Sequence, residues 1–213
     1  MAGMHISRRR WGLGAVGVTG LVAALAVALA GTGSAAPTTI TFHMARSQGS
    51  IAAGCLTNAG ATVTVTSSGP VETMKIHATG LPANTGFDLF VIQIPNKPFG
   101  MSWYQGDMES NGSGVADGTF VGRFSIETFI VAPGVANAPN IHNGVDATKN
   151  PQTAPVHMFH LGLWFDSVAA GAAAGCEAAD APATPFNGDH TAGAQALSTR
   201  TFPFLSGPLR QLP

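Results

Sequence analysis

The sequence predicts an all-β domain, an antiparallel two-sheet sandwich with one short helix. Three observations carry that prediction. Short apolar runs alternate with polar residues at a period of two, the mark of half-buried strands. Turn formers separate the runs, with 27 glycines and 14 prolines in 213 residues. Only 10% of residues are charged, against about 25% in an ordinary soluble domain. That scarcity excludes a coiled coil, and the apolar content of 45% excludes a disordered chain. A formal net charge of −1 gives no electrostatic footprint for nucleic acid.

The elements follow in order. Residues 38–44 (TTITFHM) are β-branched at first and alternate. Residues 61–66 (ATVTVT) place Val63 and Val65 on one face and threonines on the other. In 71–79 (VETMKIHAT), Glu72, Met74, Ile76 and Ala78 share one face, and Val71, Thr73, Lys75 and His77 the other. Residues 87–94 (FDLFVIQI) read as a buried strand stopped by Pro95. Residues 119–131 read as one long or bent strand with a bulge at Gly122, and 156–165 (VHMFHLGLWF) as another. Residues 193–199 form the last strand. Asp166 or Ser167 can cap the single helix, an Ala-rich turn ending near Gly175. Residues 136–155 form a long Asn- and Pro-rich loop, a length that points to function or mobility.

The N-terminus reads as an address. Arg8, Arg9 and Arg10 precede an uncharged apolar run over 11–30, and small residues follow at 31–36. This is the layout of a secretory signal peptide over residues 1–35, cleaved after Ala35. The rival reading is an uncleaved membrane anchor, since about 20 apolar residues can span a bilayer; Gly12, Gly14, Gly17 and Gly20 weaken such a helix. Ser7-Arg8-Arg9-Arg10-Trp11 partly resembles a twin-arginine export signal, with Gly12 where a leucine is usual. Removing 1–35 takes away only three charges, so the remaining domain, 36–213, is just as poor in them. Its only cysteines, Cys55 and Cys176, are expected to pair outside the cell, tying the first strands to the C-terminal third in one domain.

Gly80-Leu81-Pro82-Ala83-Asn84-Thr85-Gly86-Phe87-Asp88-Leu89-Phe90-Val91 resembles the corner of fibronectin-type-III and related immunoglobulin-like domains. Pro82 follows Leu81 directly, one residue sooner than in that family. Phe87 stands where the family has a tyrosine, so the hydroxyl that pins the corner is missing. The resemblance covers about a dozen residues. It implies a sandwich of immunoglobulin-like or jelly-roll kind and no activity. The chain as a whole also resembles secreted actinobacterial proteins with no assigned activity.

Three constellations can carry chemistry. Asp107-x-Glu109-x-Asn111-Gly112-x-Gly114 resembles the start of a calcium loop, with oxygen ligands at alternate positions and glycine at the turn. Gly118 stands where a bidentate glutamate is needed, and Asp117 is its neighbour. The competing reading is a hairpin tip shaped by Asn111-Gly112. His43-Met44, Met74 with His77, and His157-Met158 with His160 combine imidazole and thioether, ligands that suit copper. Packing is the competing reading there, since His157 and His160 on one strand would point to opposite faces. Phe99, Met101, Trp103 and Tyr104 form an aromatic cluster in which Trp103 and Tyr104 can stack on sugar or anchor a partner, or plug the end of the core.

Nucleophile and metalloprotease motifs are absent from the sequence. Gly112-Ser113-Gly114 lacks the spacing of a nucleophile elbow, and no His-Glu-x-x-His occurs. Asp88 with Glu127 is an acid pair without diagnostic spacing, and Asp189-His190 reads as a turn. The expectation is a secreted, non-catalytic binding or structural protein at or outside the cell envelope. Its partners would be wall polymer or protein, not nucleic acid, with membrane contact only through an uncleaved signal segment. The alternatives are a copper- or calcium-binding exported protein and a hydrolase acting on wall polymer.

Overall fold

The computed structural model describes residues 38–124, 128–130, 155–184 and 191–212. Residues 1–35, Glu127, Asp189-His190 and nearly all of the 136–155 loop lie outside that set. Among the described residues ten strands run in chain order. They are β1 (Thr38–Arg46), β2 (Gly60–Ser68), β3 (Val71–Thr79), β4 (Gly86–Ile92), β5 (Ser102–Glu109), β6 (Ala116–Gly122), β7 (Thr128–Ile130), β8 (Pro155–His157), β9 (His160–Phe165) and β10 (Gln195–Ser198). Two helices, α1 (Gln48–Ala53) and α2 (Val168–Ala173), and a 3-10 turn at Pro208–Gln211 complete the set.

The fold is all-β and antiparallel. Hydrogen bonds join eight strands in the order β5-β4-β9-β10-β1-β2-β3-β6, and β7 pairs with β8 apart from them. The ladder therefore draws one continuous sheet where two were expected. That sheet curls nearly into a barrel. Its edge strands approach each other so closely that a side chain at Gly106 of β5 would meet the Phe120 ring of β6. Likewise, one at Gly118 of β6 would meet Met108 of β5.

Alternation explains which face is buried. Val63 and Val65 of β2, Met74 and Ile76 of β3, Leu89 and Val91 of β4, and Leu161 and Leu163 of β9 fill the interior. Each such burial contributes about 1.5–3 kcal/mol relative to exposure. The outer face of β1–β2 is a threonine row, with Thr39 bonded to Thr66 and Thr41 to Thr64. Strands β4 and β9 are buried on both faces. On their outer side Phe90, Ile92, Phe99, Trp164 and Ala192 form a second apolar cluster. It sits beneath the 93–101 connection.

Several expectations are corrected. The run 119–131 is not one strand. β6 starts earlier, at Ala116, and ends at Gly122, opposite Glu72, one residue from where its antiparallel partner β3 begins at Val71. Phe124 then turns into the core. The run 156–165 divides as well, because the chain leaves β7's partner β8 and starts afresh at His160, opposite Ile92. A second helix, α1, was not expected. Six residues are too few to show a period. It is held by Ser47, whose hydroxyl caps the Ser50 amide, and by Gly54 in the left-handed region at φ 72°. Residues 102–109 form a strand, so Asp107 and Glu109, read as the start of a calcium loop, lie on β5.

Candidate functional site

The proposed calcium ligands lie in three different settings. Asp107 and Glu109 project outward from β5 into a cleft of about 710 Å³ that Asp88 and Asp166 also line. Asp107 accepts from the Tyr104 hydroxyl. Asn111 spends its side-chain oxygen on its own turn, accepting from the amides of Ser113 at 2.9 Å and Val115 at 3.2 Å. That is the hairpin-tip reading. Asp117 sits on β6 and accepts from His77 Nδ1 at 2.8 Å on the exposed face.

The proposed copper ligands are separated too. Met44 and Met74 point into the core while His43 and His77 point out. His43 instead contacts Thr62, so a row His43–Thr62–His77–Asp117 crosses four strands. Met158 is fully buried, and His157 stacks on Phe159 with ring centroids 5.2 Å apart. His160 is buried with both ring nitrogens engaged. Nε2 donates to the Phe204 carbonyl at 3.1 Å, and Nδ1 bonds the Thr199 hydroxyl at 2.9 Å. Coordination through either nitrogen would break one of these bonds. Among the described residues no three His, Cys, Asp or Glu side chains are grouped to hold a metal ion.

Burial, and then the charge of Arg210, push the His157 pKa below its ordinary 6.5. A histidine whose folded pKa is depressed binds protons better in the unfolded chain, so stability falls as pH drops through about 6.5. We expect His157→Gln to flatten that fall in urea titrations run between pH 7.5 and 5. An unchanged slope would refute the assignment.

The aromatic cluster divides. Phe99 is buried against Trp164, whereas Trp103 and Tyr104 of β5 are 52% and 41% exposed. Tyr104 packs on Phe90 at a centroid distance of 5.6 Å.

A second cleft among the described residues involves side chains that sequence reasoning did not single out, Gln195, Asn96 and Glu177 among them. A cleft of about 560 Å³ lies between α1, the 93–101 connection and the segment after α2. Trp164 and Phe99 contribute its apolar wall, and Gln195, Asn96, Lys97 and Glu177 its polar groups. The backbone explains this convergence. Ser47 and Ser50 of α1 donate to the Gln195 carbonyl, locking α1 onto β10. Cys55 follows α1, Cys176 follows α2, and the two form a disulfide with Cα atoms 5.3 Å apart. The indole of Trp164 lies over Gly162, where a Cβ would come within 2.2 Å of the ring. Glu177 Oε1 accepts the Ala194 amide at 2.7 Å.

Two of the lining residues also carry a buried amide atom without a hydrogen-bond partner, Gln195 Nε2 and Asn96 Oδ1. Gln195 is only 7% exposed. Buried polar groups are nearly always hydrogen-bonded, so each exception calls for a cause. No sequence motif flags uncharged amides of this kind. No protein-family model matches this chain, and no curated protein matches it.

Proposed function

We propose that this is an exported, non-catalytic binding protein whose ligand occupies the cleft between α1, the 93–101 connection and the segment after α2. The observation that carries the reading is the open cleft of about 560 Å³ itself, bordered by Phe99 and Trp164 and by the polar residues Gln195, Asn96, Lys97 and Glu177. Ligand sites are concave, mostly apolar and furnished with a few fixed polar groups. Export belongs to the same proposal. It is supported by the basic, apolar and small-residue pattern at 8–36 and by a disulfide, a bond that persists in oxidising compartments. The assignment of the curled sheet to the immunoglobulin-like or jelly-roll sandwiches is also proposed. It is supported by the shared inner core of β1–β4 and β9.

A thermal-shift screen of the purified protein against extracellular metabolites and soluble wall fragments tests the site. A ligand that binds only the folded state raises the Tm. The expected hit stabilises the protein and loses that effect in Asn96→Ala. No hit, or hits that persist in both Asn96→Ala and Gln195→Leu, would reject the cleft.

A further inference from the structure

We propose that Asn111 is a self-modification site. The Gly112 amide nitrogen attacks the Asn111 carboxamide, and hydrolysis of the resulting imide leaves an aspartate at the tip between β5 and β6.

The nucleophile is in the open. Asn111, Gly112 and Ser113 are all exposed. A Cβ at Gly112 would meet nothing nearer than Asn84 Oδ1 at 3.9 Å, so the space around that residue is clear. The neighbouring amides are engaged. Asn111 N donates to the Val115 carbonyl at 2.8 Å, and Gly114 N to the Asn111 carbonyl at 2.9 Å. Ser113 N and Val115 N donate to Asn111 Oδ1. The Gly112 N–H has no protein acceptor among the described residues.

The electrophile is prepared by the same turn. To accept from amides two and four residues ahead, the Asn111 carboxamide folds forward over the Gly112 peptide. Addition of the nitrogen to Cγ places negative charge on Oδ1, where the Ser113 and Val115 amides already point. Donors fixed in advance around a developing oxyanion lower the barrier to its formation.

The chemistry needs only water. A bond forms between Gly112 N and Asn111 Cγ. The Cγ–Nδ2 bond breaks, and Nδ2 leaves as ammonia with the proton that the Gly112 nitrogen gave up. Water then opens the five-membered imide, its hydroxide going to a carbonyl carbon and its proton back to the nitrogen. Attack at Cγ gives aspartate, and attack at the main-chain carbonyl gives isoaspartate.

The fold favours the first product. An aspartate keeps both bonds at Oδ1, now charge-assisted. Isoaspartate would displace the Asn111 carbonyl, which accepts from Gly114 N at 2.9 Å and from Asn84 N at 3.3 Å and so joins the tip to residues 81–85. Conversion adds one negative charge, two residues after Glu109, to a chain of formal net charge −1.

Incubation of the purified protein in mildly alkaline buffer, folded or in urea, tests the proposal by peptide mapping with mass spectrometry and an isoaspartate assay. The map separates Asn111 from Asn143-Gly144 and Asn187-Gly188, which share the dipeptide. Asn111 is expected to convert in the folded protein at least as fast as in urea, chiefly to aspartate, and faster as pH rises, because the nitrogen attacks deprotonated. Gly112→Ala is expected to slow conversion at least about tenfold by crowding the nitrogen. The variant folds, since the site has room for a Cβ and its φ is not left-handed. Asn111→Asp should keep the wild-type Tm, and Asn111→Ala should lower it.

An Asn111 that stays intact in the folded protein while the urea-unfolded chain converts overturns the proposal, because the turn then shields the carboxamide. An unchanged rate in Gly112→Ala overturns attack by that nitrogen. Isoaspartate as the main folded product, or a Tm for Asn111→Asp no higher than for Asn111→Ala, overturns aspartate as the product the fold favours.

Discussion

Replacing Cys55 and Cys176 together with serine is expected to lower the unfolding free energy by about 4–5 kcal/mol, as the chain-entropy relation gives for a loop of this size. The bridge spans 121 positions, from the end of α1 to the end of α2, and encloses all the strands from β2 to β9. Without it the unfolded chain regains the freedom of that whole loop, while the folded chain loses the clamp on its two helices. Each helix has six residues, far below the length at which a helix is stable alone. Urea unfolding of the wild type and the double variant checks the figure, with equal m-values required for the comparison. A loss smaller than about 1 kcal/mol would show that the bridge constrains little.

Truncating Trp164 to alanine is the second large effect, expected at about 3–5 kcal/mol. The indole has no exposed surface, and it packs edge to face on Phe90 at 5.3 Å and on Phe99 at 5.0 Å. Its removal opens the outer cluster and leaves the space above Gly162 empty. Phe90 and Phe99 come from separate segments, so neither can collapse into the gap without moving its backbone. Trp103→Ala is the internal control: Trp103 is 52% exposed, and surface substitutions of this kind stay within about 0.5 kcal/mol. Equal losses in the two variants, measured by urea unfolding, would refute the outer cluster as a second core.

Legibility in the sequence followed the physics of each element. β2 and β3 alternate strictly because one face meets the core and the other meets water, so their faces were readable residue by residue. β4 and β9 showed as apolar runs because both of their faces are covered. β5 was hidden because its sequence, SWYQGDME, carries a register shift opposite Leu89 and Phe90 that breaks the alternation, and most of its residues are exposed or half-buried. The ends of β6 and β8 were hidden for another reason. They are decided by where the partner strand stops, which is a tertiary fact. The candidate site was the least legible part. Histidines, methionines and acids draw attention by their chemistry, yet the buried His160 is satisfied by Thr199 and Phe204, and the methionines are packing. Gln195 and Asn96 matter only because folding leaves them without partners.

The meeting of the two edge strands has a consequence for solubility. A sheet edge is a template for adding strands from other molecules, and proteins commonly guard it with lysines. This chain has ten basic residues in all, and none lies in β5 or β6. The guard is geometric: Phe120 and Met108 bring the two edges against each other, so each shields the other from foreign strands. A chain with so few charges has little mutual repulsion, and the closed edges offer neighbouring molecules little open ladder to extend. Protection of the ladder here comes from curvature rather than from charge.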